Sequence, residues 1–124
     1  MATTMSAKST NSKPMWMKLA EAFSTYILPT FRHIRVYEGE VPGFGPAAII
    51  RVWENEAKAD EEESSNVHVK VTISITADIV WCTDRERGIR EIELEDPQCF
   101  EKLLNWMKLV GITGRDAQLS GPLV

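Results

Sequence analysis

Apolar and polar residues alternate without a break over residues 67–81. Every odd position in this run is apolar, and every even position as far as Asp78 is polar. Because successive side chains of a strand point to opposite faces, the alternation predicts a strand with one buried face and one solvated face. At about 3.3 Å per residue the run would span roughly 50 Å, more than twice the length of a typical strand. We therefore expect either one long, bent central strand or two strands that meet at a bulge.

Two other stretches have apolar residues at helical spacing. The first covers residues 15–28 and is ended by Pro29. The second begins at Asp96 and Pro97, which suit the N-cap and the first helical position, and Gly111 is placed to end it. The apolar stripes that predict these two helices consist of Trp16, Leu19, Ala20, Phe23 and Ile27, and of Phe100, Leu103, Leu104, Met107 and Val110.

Shorter alternating runs predict further strands at residues 33–38, 47–53 and 89–94. Turn-forming or charged residues predict connections at residues 39–46, 54–66 and 83–88. The order helix, strands, helix predicts an α+β fold: an antiparallel, twisted sheet of four to five strands, covered on one face by an N-terminal and a C-terminal helix. We expect a disordered arm at residues 1–13, a single domain at residues 14–112 and a tail at residues 113–124.

Composition and charge narrow the choice of function. The chain has 124 residues, enough for one domain with its own core, and a net charge of −4. It has neither an apolar run of about 20 residues nor the apolar region of a signal peptide, so we expect an intracellular protein, in the cytoplasm or nucleus, without a transmembrane segment. The acidic balance disfavours a strong nucleic-acid surface. That class would need Arg32, Arg35 and Arg51 to share one exposed face.

Residues that could carry catalysis or bind a metal are scattered. The two histidines, His33 and His68, lack a second ligand at metal-binding spacing, and so do Cys82 and Cys99. Cys99 falls in the first turn of the second predicted helix, where the helix dipole could lower its pKa, although a structural thiol is the preferred interpretation. We expect no catalytic residue, no metal and no cofactor.

Four residues are candidates for contact with a partner. Phe44 lies in a loop stiffened by glycines and prolines, where an aromatic side chain either anchors a partner or folds back onto the core. Trp16 is flanked by Lys13 and Lys18, a combination that suits a membrane interface or a neighbouring subunit. The alternative for Trp16 is that it closes the core beneath the sheet.

The order of parts resembles the matrix proteins of rhabdoviruses and related negative-strand RNA viruses. The matching piece is residues 67–112, in which a long alternating strand precedes the helix Cys-Phe-Glu-Lys-Leu-Leu-Asn-Trp-Met-Lys-Leu-Val. The resemblance implies self-association through the arm or the glycine-proline loop, contact with anionic lipid of the inner leaflet, and contact with nucleocapsid.

These observations together predict a non-enzymatic structural or interaction module that acts by self-association and partner binding. The expected partners are further copies of the chain and another protein, with peripheral contact to an anionic membrane as a further option. The alternative is a small-ligand-binding or enzymatic α+β domain whose pocket lies between the sheet and the helices.

Overall fold

The computed structural model describes residues 14–31, 33–53, 67–84 and 86–119. Its elements, in chain order, are α1 (Met15–Ser24), β1 (Ile34–Val41), β2 (Gly45–Trp53), β3 (Val67–Ser74), β4 (Ile79–Asp84), β5 (Gly88–Glu93) and α2 (Cys99–Leu109). The predicted arm at residues 1–13, the acidic stretch at residues 54–66 and Arg32 lie outside the described residues. Among the described residues, no helix is long and apolar enough to cross a membrane.

The five strands form one sheet in the order β1-β2-β3-β4-β5, and every neighbouring pair is antiparallel. Both helices contribute to the same hydrophobic core as one face of the strands. Alternate residues of β2 and β3 on that face are almost fully buried, and they contact the stripes of α1 and α2. The predicted α+β fold, with an antiparallel sheet and two helices on one face, is therefore confirmed.

The long alternating run is not one strand, nor two strands that meet at a bulge. A turn at residues 75–78 separates β3 from β4, and the two strands form a hairpin. The Ser74 hydroxyl accepts a hydrogen bond from the Ala77 amide, and Asp78 adopts a left-handed backbone with φ 62°. Aspartate tolerates this conformation better than most residues, because its short polar side chain can hydrogen-bond locally.

This turn also reverses which residues face the core. In β3 the odd positions, such as Val71 and Ile73, point to the helices, whereas in β4 the even positions Val80 and Cys82 do so. Trp81, which the alternation placed in the apolar row of the strand, therefore lies on the opposite face of the sheet.

The first helix ends earlier than its apolar stripe indicates. α1 stops at Ser24. The hydroxyls of Ser24 and Thr25 donate hydrogen bonds to the carbonyls of Glu21 and Ala22, at 2.7 and 2.6 Å. Beyond this point the chain pairs elsewhere, because Ile27 forms a bridge with Thr113. Tertiary pairing thus replaces the last helical turn that the spacing predicted.

The second helix starts later than predicted and ends where predicted. Asp96 and Pro97 are not its N-cap and first residue, because the helix begins at Cys99 with Gln98 at the N-cap. The Asp96 carboxylate instead accepts the Gln98 amide at 2.8 Å, before the helix, and pairs with Lys102. Gly111 follows the helix with φ 86°, and its amide donates to the Lys108 carbonyl at 3.1 Å. The expected glycine cap is confirmed.

The glycine-proline stretch contains less loop than its composition suggests. β1 continues to Val41 and β2 starts at Gly45, so the turn itself covers only residues 42–44. Gly43 and Gly45 have φ of 87° and 91°, a conformation that favours glycine and allows the tight reversal. The turn places Phe44 over the sheet.

Candidate functional site

The sheet has one face packed against the helices and one face that, among the described residues, no helix covers. We call the second the helix-free face. Strand register assigns to it Arg35 and Tyr37 of β1, Ala47, Ile49, Arg51 and Trp53 of β2, Lys70 and Thr72 of β3, Ile79, Trp81 and Thr83 of β4, and Ile89, Glu91 and Glu93 of β5. Trp53, Ile49 and Ala47 are buried without belonging to the core under the helices, so this face has apolar packing of its own.

Three positive charges lie side by side on the helix-free face. Arg35 is directly opposite Arg51 across β1 and β2, and Arg51 is directly opposite Lys70 across β2 and β3. We call these three residues the cation row. Like charges directly opposite one another destabilise a sheet. Within the described part of the chain, no carboxylate forms an ion pair with any of the three.

The electrostatic effect of this arrangement is visible at Lys70. Partial burial lowers the pKa of its amine below the ordinary value, and the neighbouring Arg51 charge lowers it further. Both causes disfavour the charged form. The fold therefore holds a cation in a place where burial and its neighbour oppose the charge, a local conflict typical of functional sites.

Aromatic rings support the two arginines of the row. The Arg35 guanidinium carbon lies 5.1 Å from the centre of the Trp53 ring, and that of Arg51 lies 5.8 Å from the centre of the Tyr37 ring. Both distances are within the range of cation–π attraction. The rings hold the guanidinium groups in place without neutralising them, and among the described residues no carboxylate pairs with either group.

A cavity of about 500 Å³ opens at this end of the face. Its lining consists of Ile34, Arg35, Val36, Tyr37, Arg51 and Trp53. Two buried donors of the lining, Nε of Arg51 and Nε1 of Trp53, have no hydrogen-bond partner among the described residues, and Trp53 is only 2% exposed. A buried donor without a partner is costly, so a hydrogen-bond acceptor that entered this cavity would be stabilised there.

The other half of the helix-free face is aromatic, apolar and acidic. Phe44, 44% exposed, lies against Trp81 with the ring centres 6.0 Å apart. The Trp81 indole donates to Glu91 at 3.2 Å, and Glu93 is exposed two residues further along β5. Ile89, 68% exposed, completes this half at the sheet edge. The face thus carries cations near β1 and carboxylates on β5.

The residues predicted from sequence as contact sites occupy separate places. Phe44 does not fold into the core under the helices; it covers Trp81 and stays partly exposed. Trp16 is half-buried and packs against the core, as its alternative interpretation requires, while Lys18 is exposed on α1. Lys13 lies outside the described residues. Of the three candidates that the structure describes, only Phe44 joins the helix-free face.

The expected basic patch is partly present. Arg35 and Arg51 share the helix-free face as that hypothesis required, and Arg32 lies outside the described residues. The members that sequence reasoning missed are Lys70, Tyr37, Trp53 and Trp81. In the sequence, Lys70 and Tyr37 are ordinary outward-facing residues of alternating strands. Their proximity to the arginines follows only from the pairing register of the strands.

Neither cysteine has the properties of a nucleophile. Burial raises the pKa of the Cys82 thiol to about 12. Burial also raises the pKa of the Cys99 thiol, and the Asp96 carboxylate raises it further. The lowered pKa suggested by its place in the first helical turn is therefore not found, and the preferred interpretation as a structural thiol stands. Among the described residues, no group of three or more histidine, cysteine, aspartate or glutamate side chains is arranged to hold a metal ion. His33 lies before β1, and the side chain of His68 is outside the described set.

Core side chains fill the interface between sheet and helices, where the alternative interpretation placed a ligand pocket. The cavity described above lies instead on the helix-free face. No protein-family model, no curated protein and no solved structure matches the chain. The geometry of this face is therefore the main guide to function.

Proposed function

We propose that the protein is a non-enzymatic module that acts by association, and that the helix-free face is its association surface. The observation that carries this proposal is a cation row that no described carboxylate pairs with, beside a partly exposed aromatic pair, on a face that no described helix covers. Aromatic and arginine side chains are the residues that contribute most to binding at protein interfaces.

The distribution of charge favours a second copy of the chain as the partner. Arg35, Arg51 and Lys70 lie on β1–β3, whereas Glu91 and Glu93 lie on β5. Arg35 and Arg51 share a register row with Ile89, and Glu91 and Glu93 lie two and four residues further along β5. A two-fold axis in the plane of the interface and inclined to the strands would therefore lay β1 and β2 of one copy across β4 and β5 of the other. Cations would then meet carboxylates twice, and the Phe44–Trp81 pairs would lie near the axis. Such self-complementarity is what a two-fold interface requires.

The size of the face sets the strength to expect. Strands spaced about 4.8 Å apart, with about 3.3 Å per residue, give five strands of six residues a flat area of roughly 500 Å². This is at the low end for a stable protein interface, so we expect dimers with micromolar rather than nanomolar affinity.

Light scattering of the full chain over a range of micromolar concentrations tests the proposal. The wild-type mass should rise with concentration towards that of a dimer. The variant Arg35→Glu/Arg51→Glu should remain monomeric, because it sets carboxylates against Glu91 and Glu93 of the second copy. Arg90→Glu is the matched control. Arg90 is exposed on β5 but lies on the face of the sheet that carries the helices, so the variant should dimerise as the wild type does.

A chain that lacks residues 1–12 separates this surface from the arm. Loss of assembly in that chain, with normal assembly of Arg35→Glu/Arg51→Glu, would assign association to the arm and contradict the proposal. The matrix-protein resemblance, contact with anionic membrane, and Trp16, Lys13 and Lys18 as contact residues remain predictions. Liposome binding by the wild type and by Lys13→Gln, Trp16→Ala and Lys18→Gln variants tests them.

A further inference from the structure

We infer that the cavity beneath Arg35 and Arg51 binds a phosphoryl group, either free phosphate or a small phosphate ester. The inference goes beyond the proposed function, since it assigns a small-molecule site to one end of the helix-free face. It does not require the protein to dimerise.

Many hydrogen-bond donors converge on this cavity. Each guanidinium group carries five N–H donors in a planar fork that fits tetrahedral oxyanions, and two such groups line the cavity from opposite strands. The Lys70 ammonium lies next to Arg51 on the following strand. A carboxylate offers two oxygens and one charge, too few for this set. A phosphoryl group offers three or more acceptor oxygens and up to two charges.

Two buried donors lie in the lining of the cavity. Nε of Arg51 and Nε1 of Trp53 have no partner among the described residues, although Trp53 is only 2% exposed. An anion in the cavity would supply acceptors at the side chains where the protein leaves donors unsatisfied. If the cation row had only a structural role, these unpaired donors would cost stability without any compensating interaction.

Both arginines of the cavity are held by aromatic rings. Stacking of Arg35 on Trp53 and of Arg51 on Tyr37 positions both forks before a ligand arrives. Preorganisation reduces the side-chain entropy that binding would otherwise cost. The volume of about 500 Å³ is also within the range of small-ligand sites.

Isothermal titration with inorganic phosphate at constant ionic strength tests the inference on the full chain, at protein concentrations where it is monomeric. We expect binding to the wild type, and a loss of at least about tenfold in affinity in Arg51→Gln, because a charge-assisted fork is removed. Arg51→Lys keeps the charge but not the fork, and should also bind more weakly. Arg90→Gln, an exposed arginine outside the site, should bind as the wild type does.

Three controls make the outcome decisive. Circular dichroism establishes that each variant is folded, and Arg35→Gln provides an independent second variant. Acetate at the same ionic strength should bind at least about tenfold more weakly than phosphate. Titration with adenosine monophosphate distinguishes the two forms of the phosphoryl group. Tighter binding than that of inorganic phosphate assigns the site to phosphate esters, and equal binding assigns it to free phosphate.

Absence of phosphate binding to the folded wild type, or equal binding by wild type and Arg51→Gln, would overturn the inference. Acetate binding as tight as phosphate binding would overturn it too, since the site would then recognise any anion. None of these results affects the proposed function, whose failure is seen separately, as a monomeric mass at every concentration.

Discussion

Replacing Lys70 with methionine removes one charge from the cation row and keeps a long, unbranched side chain. Lys70 has Arg51 directly opposite on β2 and the uncharged Thr83 opposite on β4, so the substitution removes one like-charge pair. Such pairs differ from neutral ones by about 0.2–1 kcal/mol, and methionine also suits a partly buried position. We expect the free energy of unfolding of Lys70→Met to exceed that of the wild type by about 0.5–1 kcal/mol at neutral pH. For a domain of this size that corresponds to a rise in Tm of roughly 2–8 °C.

The gain should depend on pH in a defined direction. The pKa of Lys70 in the folded protein lies below its ordinary value of 10.5, so the charged amine destabilises the fold. This penalty is fully present below the folded-state pKa and disappears as the pH rises towards 10.5, where the unfolded chain also loses its proton. The advantage of Lys70→Met should therefore be largest at neutral pH and shrink at alkaline pH.

Urea unfolding of the two proteins at a series of pH values measures both effects. Lys18→Met, at an exposed position of α1, is the control and should change stability by no more than about 0.5 kcal/mol. If Lys70→Met were less stable than the wild type at neutral pH, Lys70 would be making a stabilising contact. The description of the cation row as a strained site would then be refuted.

Three further substitutions or modifications test local parts of the structure. Asp84→Ala should lower the free energy of unfolding by about 2 kcal/mol in urea titration. The buried Asp84 carboxylate accepts hydrogen bonds from two backbone amides of the β4–β5 turn and forms an ion pair with Arg87. An unchanged urea midpoint would show that the turn is stable without this carboxylate. Gly111→Ala should cost about 1–2 kcal/mol because φ there is 86°, whereas Gly114→Ala, whose new Cβ would meet Leu28 at an ordinary 3.6 Å, should cost little. Cys82, with a pKa raised to about 12, should resist iodoacetamide at neutral pH in the folded protein and react in urea; rapid alkylation without urea would contradict its burial.

Local patterns were sufficient to predict the main elements of the fold. The stripe from Phe100 to Val110, the cap at Gly111 and the alternation in β3 each depend on neighbours within a few residues. The pattern failed where a tertiary contact or an unusual backbone conformation overrode it. The bridge between Ile27 and Thr113 replaced the last turn of α1, and the left-handed Asp78 introduced a turn into an uninterrupted alternation.

The candidate site was harder to predict, because register brings its members together. Arg35, Arg51 and Lys70 are about 16–19 positions apart in the sequence, a spacing with no local meaning. They become neighbours only when β1, β2 and β3 pair in one particular register. Trp81 was assigned to the wrong face, since the turn before it shifts the alternation by one residue. For Phe44 the sequence left two positions open, exposed in the turn or folded back onto the core, and the structure has it 44% exposed against Trp81.

A charge-swap experiment tests the central claim, self-association through the helix-free face, most directly. Arg35→Glu/Arg51→Glu and Glu91→Lys/Glu93→Lys are each expected to be monomeric by light scattering, since each places like charges together across the two-fold axis. Mixed in equal amounts, they should form a heterodimer, because every cation then meets a carboxylate on the other chain. A mixture that stays monomeric while the wild type dimerises, or single variants that dimerise as the wild type does, would contradict the claim.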